Sequence, residues 1–320
     1  MFFSVVIPVF NRPEELAELL KSLFVQTYQK FEVIVVEDGS KITSELIIQK
    51  FKQDFSIKYL VQSNQGQGFA RNHGMRNAKG DFFIILDSDV ILPNNYLEIV
   101  AKKIQERNLD AFGGPDAAAS DFSVLQKAMD FAMTSFWTTG GIRGKLKDPT
   151  KFQARGFNMG VSRNAFFKTK GFVDPNKGED IEWSIRIKKS GFKLELIEEA
   201  FVYHKRKNTL LSFAKQAFSF GQNRVNVSRF HPEAIKIVHL LPTAFGFFLI
   251  SMIPVSIFFP SFFLFQLFLF GCWMGLVLLN SLIQFRSVPV ALLSVLTSFT
   301  QLICYGFGLV YEYLKKVVKG

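Results

Sequence analysis

Three features of this 320-residue chain predict an α/β domain with a doubly wound, mostly parallel sheet, followed by an amphipathic helix and a C-terminal transmembrane helical region. Strand-like and helix-like runs alternate over the first 110 residues, the pattern of successive βαβ units. The first of those strands reads as a near-continuous apolar run, as expected where both faces of a sheet are covered. Across residues 237–311 the only formally charged side chain is Arg286, whereas a soluble core would be interrupted by polar faces.

Residues 4–10 (SVVIPVF) form the first strand, and a helix follows at once. Asn11 is placed to cap that helix, Pro13 fits its first turn, and Leu16, Leu19, Leu20, Leu23 and Phe24 recur at helical spacing. Residues 31–36, 57–61 and 81–86 supply the next three strands, with a helix at 67–78 before the last. Ligands of such sheets bind at the carboxyl ends of the strands, where the strand order reverses. Asn11, Glu37-Asp38-Gly39-Ser40, Asn64 and Asp87-Ser88-Asp89 are therefore expected around one crevice. The chain is less regular beyond it: residues 111–115, a helix near 121–138, a Gly-rich basic loop at 140–155, a strand at 158–161, a helix at 180–189 and strands near 192–197 and 200–204. Residues 210–230 mix Phe213, Phe218 and Phe220 with basic side chains, as an amphipathic helix on a membrane surface would. The expected division is a catalytic domain over 1–207, an interfacial helix over 208–235 and a transmembrane region over 236–320.

Net charge is +11, and Lys205, Arg206, Lys207, Lys215, Arg224, Arg229 and Lys236 gather just before the apolar tail. Such a cluster suits anionic lipid, and the positive-inside rule puts it, with the N-terminal domain, on the cytoplasmic side of an inner membrane. A nucleic-acid partner is not expected, because the charges flank a membrane segment and no nucleic-acid module is visible. The start, Met1-Phe2-Phe3-Ser4, lacks the basic region and apolar core of a signal peptide. Cys272 and Cys304 fall in the tail and make no disulfide framework. The tail has room for three spans, near 238–259, 261–283 and 288–311. Three full crossings would leave Lys315, Lys316 and Lys319 opposite the basic cluster, so the alternative is that one segment is re-entrant or interfacial.

The chemistry centres on Asp87-Ser88-Asp89, which ends the apolar run 82–86. Side chains alternate along a strand, so the two acids share a side while Ser88 turns away. Hard cations such as Mg²⁺ are commonly held by one or two carboxylates together with substrate phosphates, which points to a nucleotide-linked substrate; the plain alternative is a solvated turn. Glu37-Asp38 follows a buried strand and can accept hydrogen bonds from a nucleobase imide or a ribose hydroxyl, or else merely forms a turn before Gly39. Arg71, on a helix opening with small residues, can meet a base carbonyl or a phosphate. Glu179 and Asp180 sit at the positive end of a helix, where they either cap it or take a proton from an attacking hydroxyl. Trp183 either packs that helix or offers a flat face to a sugar or lipid. His204 is the histidine placed for a ligand role, since His73 falls inside a helix and His231 and His239 lie near the membrane.

In order and spacing, SVVIPVFN (4–11), VEDGS (36–40), GFARN (68–72), GDFFIILDSD (80–89) and Gly178-Glu179-Asp180 resemble the inverting family 2 glycosyltransferases of the GT-A fold, in the membrane-anchored bacterial type linked to cell-envelope polysaccharide. The resemblance covers residues 1–205 and implies a role for each matching position. Pro8, Val9 and Asn11 would line the nucleotide pocket, Glu37 and Asp38 would contact base and ribose, and Arg71 would help hold the nucleotide. Asp87 and Asp89 match the DxD motif, with Asp89 and His204 the ligands of Mg²⁺ or Mn²⁺, and Asp180 matches the catalytic base. Gly114, Asn158, Glu179 and Trp183 are candidates for the sugar and acceptor region. The implied partners are a nucleotide-sugar donor, a UDP-sugar by family habit, and a lipid-linked or glycan acceptor at the membrane. Glu37 stands where many members carry Asp. A processive polysaccharide synthase is the nearest rival, but its Gln-x-x-Arg-Trp signature is missing where this chain reads Phe220-Gly221-Gln222-Asn223-Arg224-Val225. A catalytically silent nucleotide-sugar-binding membrane protein is the rival from another class.

Overall fold

The computed structural model describes residues 1–53, 56–117, 123–139, 152–204 and 209–319. The chain divides into two compact units, Met1–Ala119 with Lys147–Lys205, and Ser120–Leu146 with Arg206–Gly320.

In the first unit the chain runs β1 (Phe3–Val9), α1 (Pro13–Phe24), β2 (Phe31–Asp38), α2 (Glu45–Phe51), β3 (Ile57–Gln62), α3 (Gln67–Arg76), β4 (Phe82–Leu86), β5 (Val90–Ile91), α4 (Tyr96–Arg107), β6 (Ala111–Gly113) and β7 (Asp116–Ala117). The second unit contributes α5 (Val124–Thr134) and α6 (Phe136–Thr139) before the first resumes with β8 (Asn158–Ser162), α7 (Arg163–Thr169), α8 (Glu179–Lys189), β9 (Leu194–Leu196) and β10 (Val202–His204).

Seven strands form one sheet in the order β3-β2-β1-β4-β8-β6-β9, parallel except that β8 runs against β4 and β6. The uninterrupted apolar strands have the predicted cause. Val5, Ile7 and Val9 pack with Leu16, Leu19 and Leu23 on one face, while Val6, Ile34 and Val36 pack with Ala70 and Met75 on the other. Burying such a side chain contributes about 1.5–3 kcal/mol, and here both residues of each two-residue repeat are used. A second, three-stranded sheet, β5-β10-β7, starts directly after Asp89.

One local expectation is corrected. Arg12, not Asn11, occupies the N-cap of α1, and no side-chain cap bond forms there. Asn11 adopts a left-handed φ of 54°, and its Oδ1 instead accepts from the backbone of Lys41 at 2.7 Å and of Ile42 at 3.1 Å. Asn tolerates that conformation, and its side chain here satisfies a neighbouring loop instead of its own helix.

The second unit holds α5 and α6 together with α9 (Leu210–Val227), α10 (Ile237–Phe258), α11 (Pro260–Phe285) and α12 (Val288–Lys319). Residues 124–139, expected within the N-terminal domain, thus group with the apolar tail; the Thr297 hydroxyl donates to the Ala128 carbonyl at 2.8 Å. Among the described residues three helices are long and apolar enough to cross a membrane, Ile237–Phe258, Pro260–Phe285 and Val288–Val318. Phe213, Ala217, Gly221 and Arg224 give α9 a buried face at helical spacing. That face lies against α12 with backbone touching backbone: a Cβ added at Gly221 would overlap the Tyr305 carbonyl oxygen, and one at Gly308 the Phe218 carbonyl oxygen.

Candidate active site

The carboxyl ends of the parallel strands are tied to one another in sequence-distant pairs. Between β3 and β2 the link is Asp38, whose Oδ1 accepts from Gln62 Nε2 at 2.8 Å and from Gln65 N at 2.9 Å, and whose Oδ2 accepts from Gly66 N at 2.8 Å. Asn64, also expected here, donates to the Asp38 carbonyl at 2.9 Å. Between β2 and β1 the link is Asn11, whose backbone N–H donates to Ser40 Oγ at 2.7 Å. Between β1 and β4 it is Arg12, whose Nη1 lies 2.6 Å from Asp89 Oδ2.

Arg71 completes the chain of contacts. Its Nη2 lies 2.6 Å from Asp87 Oδ1 and its Nη1 lies 3.1 Å from Glu179 Oε1, with only 1% of the side chain exposed. The guanidinium also stacks over Phe172, 5.4 Å from the ring centroid. Asp180 is the second residue of α8, after Glu179 and the left-handed N-cap Gly178 with φ 77°, and its Oδ2 accepts from Gly156 N at 3.2 Å. The two acids of that helix start therefore differ. Glu179 is buried and bound to Arg71 and to Gln67 Nε2 at 2.7 Å, whereas Asp180 is only part-buried. Burial, reinforced by the negative charge of Asp180, raises the Glu179 carboxyl to about 7 against the pull of Arg71.

Asp87 and Asp89 are both part-exposed while Ser88 between them is buried, although the backbone there is a turn after β4 and not its continuation. His204 pairs in register with Val90, the residue after Asp89, so its backbone adjoins the acid pair. Among the described residues no group of three or more His, Cys, Asp or Glu stands ready to hold a metal. The donor chemistry still suits a hard cation, since Asp87 and Asp89 are part-exposed carboxylates just past the carboxyl end of β4 and the Arg12 that touches Asp89 is itself 41% exposed.

Other expected site residues prove to be internal. Glu37 is 1% exposed; it accepts from Ser40 Oγ, from Ser44 N at 2.7 Å and from Tyr59 Oη at 3.0 Å. Pro8 and Val9 are buried in the sheet, in register with Val36 and Glu37. Asn158 is completely buried, accepting from Tyr96 Oη at 2.6 Å and donating to the Ala200 carbonyl at 2.8 Å. Gly114 packs so tightly that a Cβ would overlap the same Ala200 carbonyl. Trp183 has no exposed surface, donates from Nε1 to Thr169 Oγ1 at 2.8 Å and lies 4.5 Å from the Phe172 ring, so it packs the domain and presents no flat face to a ligand. Sequence reasoning passed over Arg12, Gln67 and Phe10. The last is a half-exposed aromatic ring at the end of β1, and an apolar ring beside the strand-end acids was the available signal.

A doubly wound, mostly parallel sheet with an acid pair after its fourth strand and a second acid pair opening a later helix is the architecture of the GT-A fold class. Residues 4–169, just over half of the chain, match the Glycosyl transferase family 2 profile, and the chain belongs to that family. It is 38% identical over 105 residues to an uncharacterized glycosyltransferase of Rickettsia conorii, a stretch of 33% of this chain and only 17% of that protein. A dolichyl N-acetyl-alpha-D-glucosaminyl phosphate 3-beta-D-2,3-diacetamido-2,3-dideoxy-beta-D-glucuronosyltransferase of Methanococcus voltae is 26% identical over 268 residues, 79% of this chain and 81% of that protein. Among solved structures, the mannosyltransferase PcManGT from Pyrobaculum calidifontis, in complex with GDP-Man and Mn²⁺, superposes with a TM-score of 0.72 at 16% identity, covering 98% of this chain and 87% of that one. At that identity the likeness speaks for the fold.

Proposed function

We propose that the protein moves a sugar, with inversion, from a nucleoside-diphosphate sugar to a lipid-linked or glycan acceptor held at the cytoplasmic face of an inner membrane. The observation that supports this reading is the meeting of Asp87 and the Glu179–Asp180 pair around one buried guanidinium, that of Arg71. Structural ion pairs alone would not need a third, part-exposed acid beside them, and Asp180 is that acid. Names borne by relatives with nucleotide-sugar and lipid-linked chemistry agree with it.

In this reading the nucleoside lies across the ends of β1 and β2. Pro8, Val9 and Asn11 shape the floor and the half-exposed Phe10 ring offers a face to the base. An ionised carboxylate has about four acceptor positions, and Asp38 uses three internally, leaving one on Oδ2 for a base N–H or ribose hydroxyl. Glu37 acts one step back, holding the loop that carries Ser40 and Ser44. Arg71 fixes Asp87 at the diphosphate. Asp89 and His204 would hold Mg²⁺ or Mn²⁺, which supplies neutralisation of the charge developing on the departing diphosphate. Gly114 and Asn158 shape the sugar and acceptor region from behind. An acceptor hydroxyl attacks the anomeric carbon, the bond to the diphosphate oxygen breaks, and Asp180 takes the hydroxyl proton. An acceptor that is already a phosphate anion needs no such base.

The test is thermal unfolding of the detergent-solubilised chain with UDP- and GDP-sugars, with and without Mn²⁺, followed by transfer to polyprenyl phosphate or a hydroxyl acceptor. A ligand bound only by the native state raises stability, by about 2.7 kcal/mol at a hundredfold excess over Kd. Metal-dependent stabilisation by one donor class is the expected result. No stabilisation by any donor, with or without metal, overturns the proposal.

A further inference from the structure

At the carboxyl end of β3 a line of three side chains runs from Asp38 through Gln62 to His73. Gln62 Nε2 lies 2.8 Å from Asp38 Oδ1, and Gln62 Oε1 lies 2.7 Å from His73 Nδ1. The chemistry of the groups sets the direction of both bonds. An ionised carboxylate only accepts, so the Gln62 amide presents its NH₂ to Asp38 and its carbonyl to His73. A carbonyl also only accepts, so His73 donates through Nδ1–H, as its Nδ1-protonated neutral tautomer or as the imidazolium.

The other donors to the Asp38 carboxylate are the backbone N–H groups of Gln65, on Oδ1, and of Gly66, on Oδ2, so among the described residues Gln62 is its side-chain donor and shares Oδ1 with Gln65. His73 has a fixed station from which to act. It follows Asn72, whose amide both donates to the Phe172 carbonyl at 2.7 Å and accepts from the Phe172 N–H at 2.9 Å. Gln62, His73, Phe69 and Arg76 line a cavity of about 360 Å³ on this side of α3.

We propose that His73 is a positioning residue for nucleotide recognition: it orients the Gln62 amide so that its NH₂ holds Oδ1 of the buried Asp38 carboxylate, which leaves the remaining Oδ2 acceptor position for the donor. This rests on the reading that Asp38 contacts the nucleotide. His73 itself touches no substrate.

A graded series at one position tests it. His73→Asn keeps an N–H donor at the δ position, His73→Ala removes it, and His73→Asp sets a second carboxylate in competition with Asp38 for the single Gln62 NH₂. UDP and GDP affinity by calorimetry and donor KM and kcat are measured on the full chain in detergent. His73→Asn is expected within about twofold of wild type, His73→Ala about 5–10-fold weaker, and His73→Asp about 50-fold weaker, with the loss in KM and not in kcat. Gln62→Met should reproduce His73→Ala, and the double variant should lose nothing more, as coupled partners do. Equal effects of Asn, Ala and Asp, or additive losses in the double variant, overturn the relay. Asp38→Asn separates the two levels: weakened nucleotide binding there alongside a flat His73 series removes only the relay, while unchanged binding removes the nucleotide reading and the relay with it.

Discussion

Arg71 Nη2 lies 2.6 Å from Asp87 Oδ1, and the same guanidinium reaches Glu179 Oε1 at 3.1 Å through Nη1, so one buried cation holds acids from two separate parts of the chain. Removing one member of a buried charge cluster leaves the others desolvated and unpaired, at a cost of about 3–5 kcal/mol. Arg71→Met should therefore lower the thermal midpoint strongly. Arg71→Lys, whose ammonium lacks the planar fork that serves two carboxylates at once, should recover only part of the loss. Stability equal to wild type in Arg71→Met would show that the cluster does not order the site.

Glu179 gives that cluster a pH signature. Its folded carboxyl stands near 7 and its unfolded one near the ordinary 4.5, so between those values the folded chain holds a proton that the unfolded chain has released. Stability should be greatest, from this group, below the unfolded value and decline as pH rises through the folded one, by on the order of 1–3 kcal/mol. Chemical denaturation of wild type and Glu179→Gln at pH 5, 6, 7 and 8 checks the sign, with pH steps of about one unit matched to that window. The variant should lose the decline, and a wild-type curve that climbs instead contradicts the assignment.

Asp180 carries the catalytic half of the proposal. Asp180→Asn keeps a carbonyl oxygen for the Gly156 N–H, so the start of α8 should persist, while the proton acceptor is gone. General-base catalysis is worth about 10²–10⁴-fold, so single-turnover transfer to a hydroxyl acceptor should fall by that factor with donor affinity little changed. With a phosphate acceptor the fall should be far smaller. An undiminished rate on the hydroxyl acceptor removes Asp180 from the base role.

Which of these features sequence could reveal follows from the range of the interactions. β1 and β4 were legible because burial on both faces leaves an almost unbroken apolar run, and the strand-end acids were legible because the sheet topology assigns ligands to that edge. Asn11 was misread as a helix cap because its side chain serves the loop at 41–42, a contact between distant segments that no local pattern encodes. The Arg12–Asp89 pair is hidden for the same reason. Trp183 had two readings from sequence, and only the tertiary neighbours Thr169 and Phe172 decide between them. The helix near 121–138 was legible as a helix but was assigned to the N-terminal domain, because its packing partner lies some 170 residues on, at Thr297.

The helical unit makes a prediction of its own, because composition cannot tell its closely packed glycines from those with open space around them. Gly221 and Gly308 stand where α9 crosses α12 at backbone contact, while a Cβ at Gly246, Gly271 or Gly275 would meet nothing within 4 Å. Small residues let helices approach this closely, and a methyl group inserted there forces the axes apart. Below the crossing, Glu312 accepts from Gln222 Nε2 at 3.1 Å and pairs with Arg229 at 2.9 Å, contacts that such a shift would also stretch. Gly221→Ala and Gly308→Ala should each destabilise the helical unit by about 1–3 kcal/mol, the usual cost of overpacking. Gly271→Ala and Gly275→Ala, which gain helix propensity and meet open space, should be neutral or slightly stabilising. Thermal unfolding in detergent, followed by the fluorescence of Trp273, compares the four. If all four behave alike, helix propensity alone governs these positions and the close crossing of α9 and α12 is refuted.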